Sequence, residues 1–322
     1  MATKKHKGFR YYLKWAGWIV LVQFFLANVS ASIYAHKFTR FYDPPPPVNV
    51  SRNIFEKTWK LFTGPTYFRN VNEAEPSFPY QTFRLSTSGG IPIDTWYSTV
   101  SAPHGCVIFF HGLGVNKSFL EKEASVFREW GYNVLLVDFR AHGRSGGEYT
   151  SLGMEETDEV GKAFEFVRSK GNQKIILYGT SLGAGVCIKA VAEGRVQPSA
   201  MIADMPFENL HHHFRSRARL LGFPSEPFAA LVTFWIGAER GYNAFRHDVS
   251  DYATKVTCPV LVEWGAQDRL LTRAEVEKVY SNLSSAAKRF VVYPNADHES
   301  FLGVDPNTWQ KEVQTFLDSI PG

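Results

Sequence analysis

Cysteine is scarce in this chain: three in 322 residues, Cys106, Cys187 and Cys258, odd in number, far apart and each inside an apolar run. That spacing excludes a disulfide framework, and free thiols in such surroundings pack as small hydrophobes. Metal-ligand spacings are missing as well, with no CxxC and no HExxH anywhere. Two glycine-rich stretches stop short of nucleotide motifs. "GRSGG" at 143–147 lacks the lysine of a phosphate loop, and "GLGVNK" has Lys117 where a dinucleotide fingerprint needs its third glycine. The consecutive His211, His212 and His213 cannot converge on one ion from a helix, because successive side chains point about 100° apart. No cofactor and no metal is expected.

Positive charge is lacking from the part of the chain that folds. The whole sequence carries +4, but residues 1–52 hold eight Lys/Arg against one acid, a local +7 that leaves the other 270 residues at about −3. A nucleic-acid reader would carry its cations on the folded domain, so that class is set aside. The basic arm, 1–14, precedes an uncharged run, "WAGWIVLVQFFLANVSASIYA" at 15–35. At about 1.5 Å per residue this run is long enough to cross a bilayer core. Lys4, Lys5, Lys7, Arg10 and Lys14 all stand before it, so the positive-inside rule keeps the N-terminus cytoplasmic and carries the domain to the other side. A cleaved signal peptide, cut near Val29-Ser30-Ala31, is the alternative, and it would secrete the domain.

What is present beyond the anchor is a long alternation of apolar strands and helices. "DPPPP" at 43–47 reads as a stiff extended stalk, 53–63 as a short membrane-proximal helix, and the folded domain begins near Phe78. "YQTFRLST" and "IPIDTWYST", separated by Ser88-Gly89-Gly90, predict a hairpin. Apolar strands follow at 106–111, 133–139, 174–179, 200–204, 259–265 and 289–294, with helices at 117–130, 154–169, 273–283 and 307–319. Strands this apolar are buried on both faces. The pattern predicts an α/β fold with a mostly parallel, doubly covered sheet and an antiparallel hairpin at its start. The stretch of about 206–252 is too long for a simple connection and predicts a small helical cap.

One short stretch carries the chemistry. "LYGTSLGAGV" at 177–186 puts Ser181 between Gly179 and Gly183, at the carboxyl end of a strand and the start of a small-residue helix. A sharp strand-to-helix turn crowds the chain, needs glycine at those two places, and exposes the serine hydroxyl. Serine is a weak nucleophile, so it requires a base and a group that orients the base. Asp268 in "AQDRLL" and His298 in "ADHES" follow the next strands in the order Ser, Asp, His. Asp204, after the preceding strand, is the alternative acid. "HGLG" at 111–114 ends the first parallel strand, where the Leu113 N–H, together with that of Leu182, would form an oxyanion hole.

With "LLVDFRAHGRSGGEYTSLG" added, these motifs resemble the α/β-hydrolases of the serine esterase, lipase and S33-peptidase-like group over about 78–316. Within that group the chain is most similar to membrane-associated, short-capped hydrolases of the ABHD13/BEM46 type. The resemblance implies cleavage of an ester, thioester or amide through an acyl-enzyme, and a structural loop at 138–147. The substrate expected is a small-molecule or lipid-like acyl compound, since "FAALVTFWIG" in the cap is apolar nearly all round. Arg215, Arg217 and Arg219 beside it read as a solvated face or as contacts to anionic headgroups. An S33-type aminopeptidase and an inactive hydrolase fold that serves as a binding protein are the rival readings.

Overall fold

A computed structural model of the protein describes residues 8–43, 59–60, 62–71, 74–222 and 224–320. Lys4, Lys5, Lys7, the prolines at 44–47 and most of the 53–63 segment lie outside the described residues. The chain opens with helix α1 (Phe9–Thr39) and two short paired strands, β1 (Phe41–Tyr42) and β2 (Tyr67–Phe68). The hairpin β3 (Gln81–Ser86) and β4 (Pro92–Ser98) comes next, followed by β5 (Cys106–Phe110), α2 (Glu121–Glu129), β6 (Asn133–Val137), α3 (Thr157–Ser169), β7 (Ile175–Thr180), α4 (Leu182–Ala192) and β8 (Ala200–Asp204). Helices α5 (Leu210–Leu220), α6 (Phe228–Arg240) and α7 (Val249–Ala253) then lead to β9 (Val260–Gly265), α8 (Arg273–Asn282), β10 (Lys288–Tyr293), α9 (Phe301–Val304) and α10 (Pro306–Asp318).

Eight strands form one sheet in the order β10-β9-β8-β7-β5-β6-β4-β3. All neighbours from β10 to β6 run parallel, and β4 is antiparallel both to β6 and to β3. Every residue of β5, β6, β7, β8 and β9 is buried, as helices on both faces demand. This is the α/β-hydrolase architecture, with the expected hairpin at the sheet's far edge. Local signals set the outer helices. Thr272 and Glu275 form a reciprocal capping box at the start of α8, and Pro306 opens α10 behind an Asp305 cap.

The cap divides in two. Helices α5 and α6 share a small apolar cluster of their own, whereas Val249 and Ala253 of α7 belong to the main core under α4. The first cluster has an additional member. Helix α1 runs to Thr39, past the 15–35 span, and its last turns bury Ala31, Tyr34, Ala35 and Phe38 against α5 and α6. Trp235 Nε1 donates to Asn28 Oδ1 at 3.3 Å, His36 Nδ1 meets Glu239 at 2.7 Å, and Arg240 Nη2 donates to Thr39 Oγ1 at 2.6 Å. The packed body therefore reaches well N-terminal of Phe78. Residues 9–26 of α1 are exposed, the most apolar 18-residue stretch of the helix has a mean hydropathy of 1.7, and α1 is long and apolar enough to cross a membrane.

Candidate active site

Strand β7 delivers Ser181 into a backbone conformation of φ 53°, ψ −108°, a left-handed strain that a tight packing arrangement must hold. The glycines explain how. A Cβ at Gly179 would stand 2.6 Å from the backbone of Gly183 and Ala184, and one at Gly183 would stand 2.1 Å from the Phe110 carbonyl oxygen. The turn thus presses β7, α4 and β5 together and leaves the serine at the apex.

Ser181 Oγ lies 3.0 Å from His298 Nε2, and His298 Nδ1 lies 2.8 Å from Asp268 Oδ2. The loops that carry the last two residues are held in contact. A Cβ at Gly265 would fall 2.4 Å from the Ala296 carbonyl, and Asp297 binds the N–H groups of both His298 (2.8 Å) and Arg269 (3.1 Å). Asp297 is a loop staple that sequence reasoning passed over, because nothing marks it beside its neighbour.

Asp204 turns elsewhere. Its Oδ2 accepts from the Tyr178 hydroxyl at 2.5 Å, and on the neighbouring strand Glu263 accepts from the Tyr293 hydroxyl. Asp204 and Glu263 are direct partners in the β8–β9 ladder. Burial raises both, and at Asp204 the charge of Glu263 adds to it: Asp204 lies well above the usual carboxylate range and Glu263 at about 7.

The 111–114 loop is set by two histidines. Phe139 N–H donates to His111 Nε2 (3.1 Å), so His111 carries its proton on Nδ1 and gives it to the Gly112 carbonyl at 2.7 Å. Because a trans peptide points its C=O and N–H in opposite directions, anchoring the Gly112 carbonyl aims the Leu113 N–H the other way. His142 accepts from Gly114 N–H at 3.1 Å and donates to the Arg140 carbonyl at 2.8 Å. Burial holds both imidazoles neutral, at about 4 for His111 and about 3 for His142. Leu182 opens α4, where the first N–H groups have no helical acceptor. Gly112 sits beside Ser181, 3.6 Å from its Cβ if given one of its own.

The cavity at the serine is about 20 Å³, roughly one water molecule. Its walls are Leu113, Leu152, Leu182, Phe207 and Leu210, with His213 the only polar side chain besides Ser181 among the described residues. The three consecutive histidines diverge as helical geometry requires: His211 meets Glu226 at 2.9 Å, His212 meets Glu208 at 2.6 Å, and His213 faces the serine. The arginines are not a free face. Arg217 bonds His213, Arg219 bonds Ser216, and Arg215 stands 3.8 Å from Glu226. Asp138 and Lys117 form a buried pair at 2.8 Å that ties down the 138–147 loop. Glu208, His212 and Glu275 bring ligand-type atoms within 4.8 Å of one another, but Lys278 Nζ already neutralises Glu208 at 2.5 Å.

Residues 101–235 match the family described as serine aminopeptidase, S33. The chain is 31% identical over 231 residues to the uncharacterized protein YqkD of Bacillus subtilis, covering 68% of this chain and 74% of that one. It is 23% identical over 211 residues to lysophosphatidylserine lipase ABHD12 of Macaca fascicularis, 61% of this chain and 49% of the relative, so it spans about half the length of that protein. Among solved structures, the Pyrococcus furiosus esterase Pf2001 superimposes with a TM-score of 0.65 at 22% identity, over 88% of this chain and all of the other. Sheet order, the strained serine turn and kinship across three quarters of YqkD agree: the chain belongs to the α/β-hydrolase superfamily.

Proposed function

We propose that the protein is a membrane-anchored serine hydrolase that cleaves an ester or thioester with an apolar acyl group. The observation that carries this reading is the unbroken hydrogen-bonded row from Ser181 through His298 to Asp268. In it, Ser181 Oγ attacks the carbonyl carbon while His298 Nε2 takes the hydroxyl proton, and Asp268 holds the imidazole with Nδ1 protonated. The oxyanion that forms is met by the N–H groups of Leu113 and Leu182. Collapse breaks the bond to the alcohol or thiol, which leaves with the proton from His298. Water then repeats the sequence on the acyl-serine, releasing the acid and restoring the serine.

Two features support a lipid-like substrate. The cavity wall is leucine and phenylalanine, and the ABHD12 relative is named for a lysophospholipid. The exposed apolar length of α1 supports membrane anchoring, and the charge before it supports a cytoplasmic N-terminus with the catalytic domain on the far side. Alkaline phosphatase fused after Gly322 in a bacterial host tests that orientation: an active fusion is expected, and an inactive one would leave the domain in the cytosol.

The S33 description favours a second reading, an aminopeptidase. A substrate amine would need a carboxylate in its subsite, and the cavity lining offers none among the described residues. Labelling with a fluorophosphonate probe, followed by turnover of p-nitrophenyl esters, acyl thioesters and aminoacyl anilides, separates the possibilities. Ser181→Ala should abolish labelling and lower turnover by about a million-fold. Unchanged labelling of that variant would remove the serine from the mechanism, and anilide turnover above that of every ester would move the protein to the peptidases.

A further inference from the structure

Helix α5 places one polar side chain over the serine, and the way it is held identifies what it can do. His213 Nε2 accepts the Nε–H of Arg217, one turn further along, at 2.8 Å. An arginine is always the donor, so the ring nitrogen facing it is bare and the His213 proton is on Nδ1. Arg217 is fixed in turn, its guanidinium lying 4.6 Å above the Phe38 ring of α1. Phe207 and Phe214 flank the imidazole at ring distances of 6.0 and 5.6 Å. Burial, then the Arg217 charge, then His298 press its pKa well below the ordinary histidine value, so the ring stays uncharged. No acceptor for Nδ1 occurs among the described residues, in a cavity whose other described walls, Ser181 apart, are hydrocarbon. A donor preset in this way and left without an acceptor is a binding group awaiting one.

We propose that His213 is a substrate-binding residue that donates its Nδ1–H to an oxygen of the alcohol half of the ester, which selects acyl esters of polyols over esters of plain alkanols. The assignment rests on the serine-hydrolase reading. The alcohol side follows from the direction of proton flow: the leaving oxygen must lie against His298, which returns the proton, and His213 lines the same cavity as Ser181, whose Oγ stands 3.0 Å from His298 Nε2. The acyl chain has only apolar walls to meet. Arg217 and Phe38 are positioning residues, acting through the tautomer and orientation of His213.

The test compares 1-lauroyl glycerol with methyl laurate, which share an acyl group and differ only in the alcohol, using the full chain in detergent. His213→Leu should lower the ratio of kcat/KM for the glyceryl ester to that for the methyl ester about tenfold, the worth of one hydrogen bond. His213→Asn, whose amide nitrogen can stand where Nδ1 stood, should restore most of the preference, and Arg217→Met should reduce it. Fluorophosphonate labelling of each variant shows that its fold and serine are intact. Equal losses on the two esters, or a leucine variant that still prefers the glyceryl ester, would overturn the proposal and leave the hydrolase reading standing. Hydrolysis of neither ester by the parent would overturn the proposal, and absence of fluorophosphonate labelling as well would overturn the hydrolase reading with it.

Discussion

Asp268 reaches His298 with one carboxylate oxygen at 2.8 Å, while its other oxygen is already held by the N–H groups of Leu270 (2.7 Å) and Leu271 (2.8 Å). The consequence for Asp268→Asn is specific. The two backbone donors compel the asparagine carbonyl to take the Oδ1 place, which turns its NH₂ toward His298. That group donates to Nδ1, drives the imidazole proton to Nε2, and leaves no acceptor for the serine hydroxyl. Turnover should fall about 10⁴-fold with little loss of stability. Asp204→Asn should be far milder in kcat, since Asp204 accepts from Tyr178 instead. Steady-state kinetics on a p-nitrophenyl ester, with melting curves beside them, checks the ranking. The reverse order would transfer the acid role to Asp204.

Glycine substitutions should separate by contact. Gly183→Ala drives a methyl group into the Phe110 carbonyl, 2.1 Å away, and should yield little folded protein. Gly161 lies in α3 with nothing within 4 Å of a new Cβ, so Gly161→Ala should raise stability by about 0.5–1 kcal/mol. Expression yield and urea unfolding measure the two. A well-folded, active Gly183→Ala would disprove the tight serine turn.

Acid should weaken the fold through its buried imidazoles. His247 donates to the Leu152 carbonyl at 2.8 Å, and burial lowers its pKa to about 4. The unfolded chain protonates this group below about 6.5 while the native state does not, so its contribution is full above that pH and lost as the pH falls toward 4. The loss is up to about 1.4 kcal/mol per pH unit. His247→Gln keeps a donor for Leu152 and removes the titration, so the stability gap between parent and variant should narrow from pH 7 to pH 5. A constant gap in urea unfolding across that range would contradict it. His111 and His142 carry the same sign, so acid also strains the 111–114 loop.

Acyl chain length should report how far the cavity opens. Each additional buried methylene is worth up to about 0.8 kcal/mol, close to fourfold in kcat/KM. At about 20 Å³ the resting cavity holds almost none of a chain, so a rise from p-nitrophenyl acetate through octanoate requires the side chains of Leu152 and Leu210 to move aside. Acetate as the best substrate would mean a short, rigid pocket.

The central sheet was legible because its strands are apolar without interruption, and Ser181, Asp268 and His298 because each follows such a strand in the expected order. The supports were not. His111 and His142 act through backbone carbonyls, and the positions of those carbonyls are a product of folding. His213 stood in the sequence as one of three similar histidines, and only the phase of α5 decides which one faces the serine. The docking of α1 was hidden for a different reason. Tyr34 and Phe38 fit a membrane-interface aromatic equally well, and their partners Phe228 and Phe214 lie almost two hundred residues away.

Helix α1 contains no proline from Phe9 to Thr39 and spans about 46 Å as a single rod. Anchored as proposed, such a rod adjusts to a bilayer thinner than its apolar length by tilting. Its lower third is bolted to the cap at Asn28, Tyr34, His36, Phe38 and Thr39, so it cannot tilt alone. Phe38 would carry the rotation to Arg217 and on to the imidazole above the serine. Membrane thickness then becomes a lever on turnover, and the same enzyme would work at different rates in thick and thin lipid.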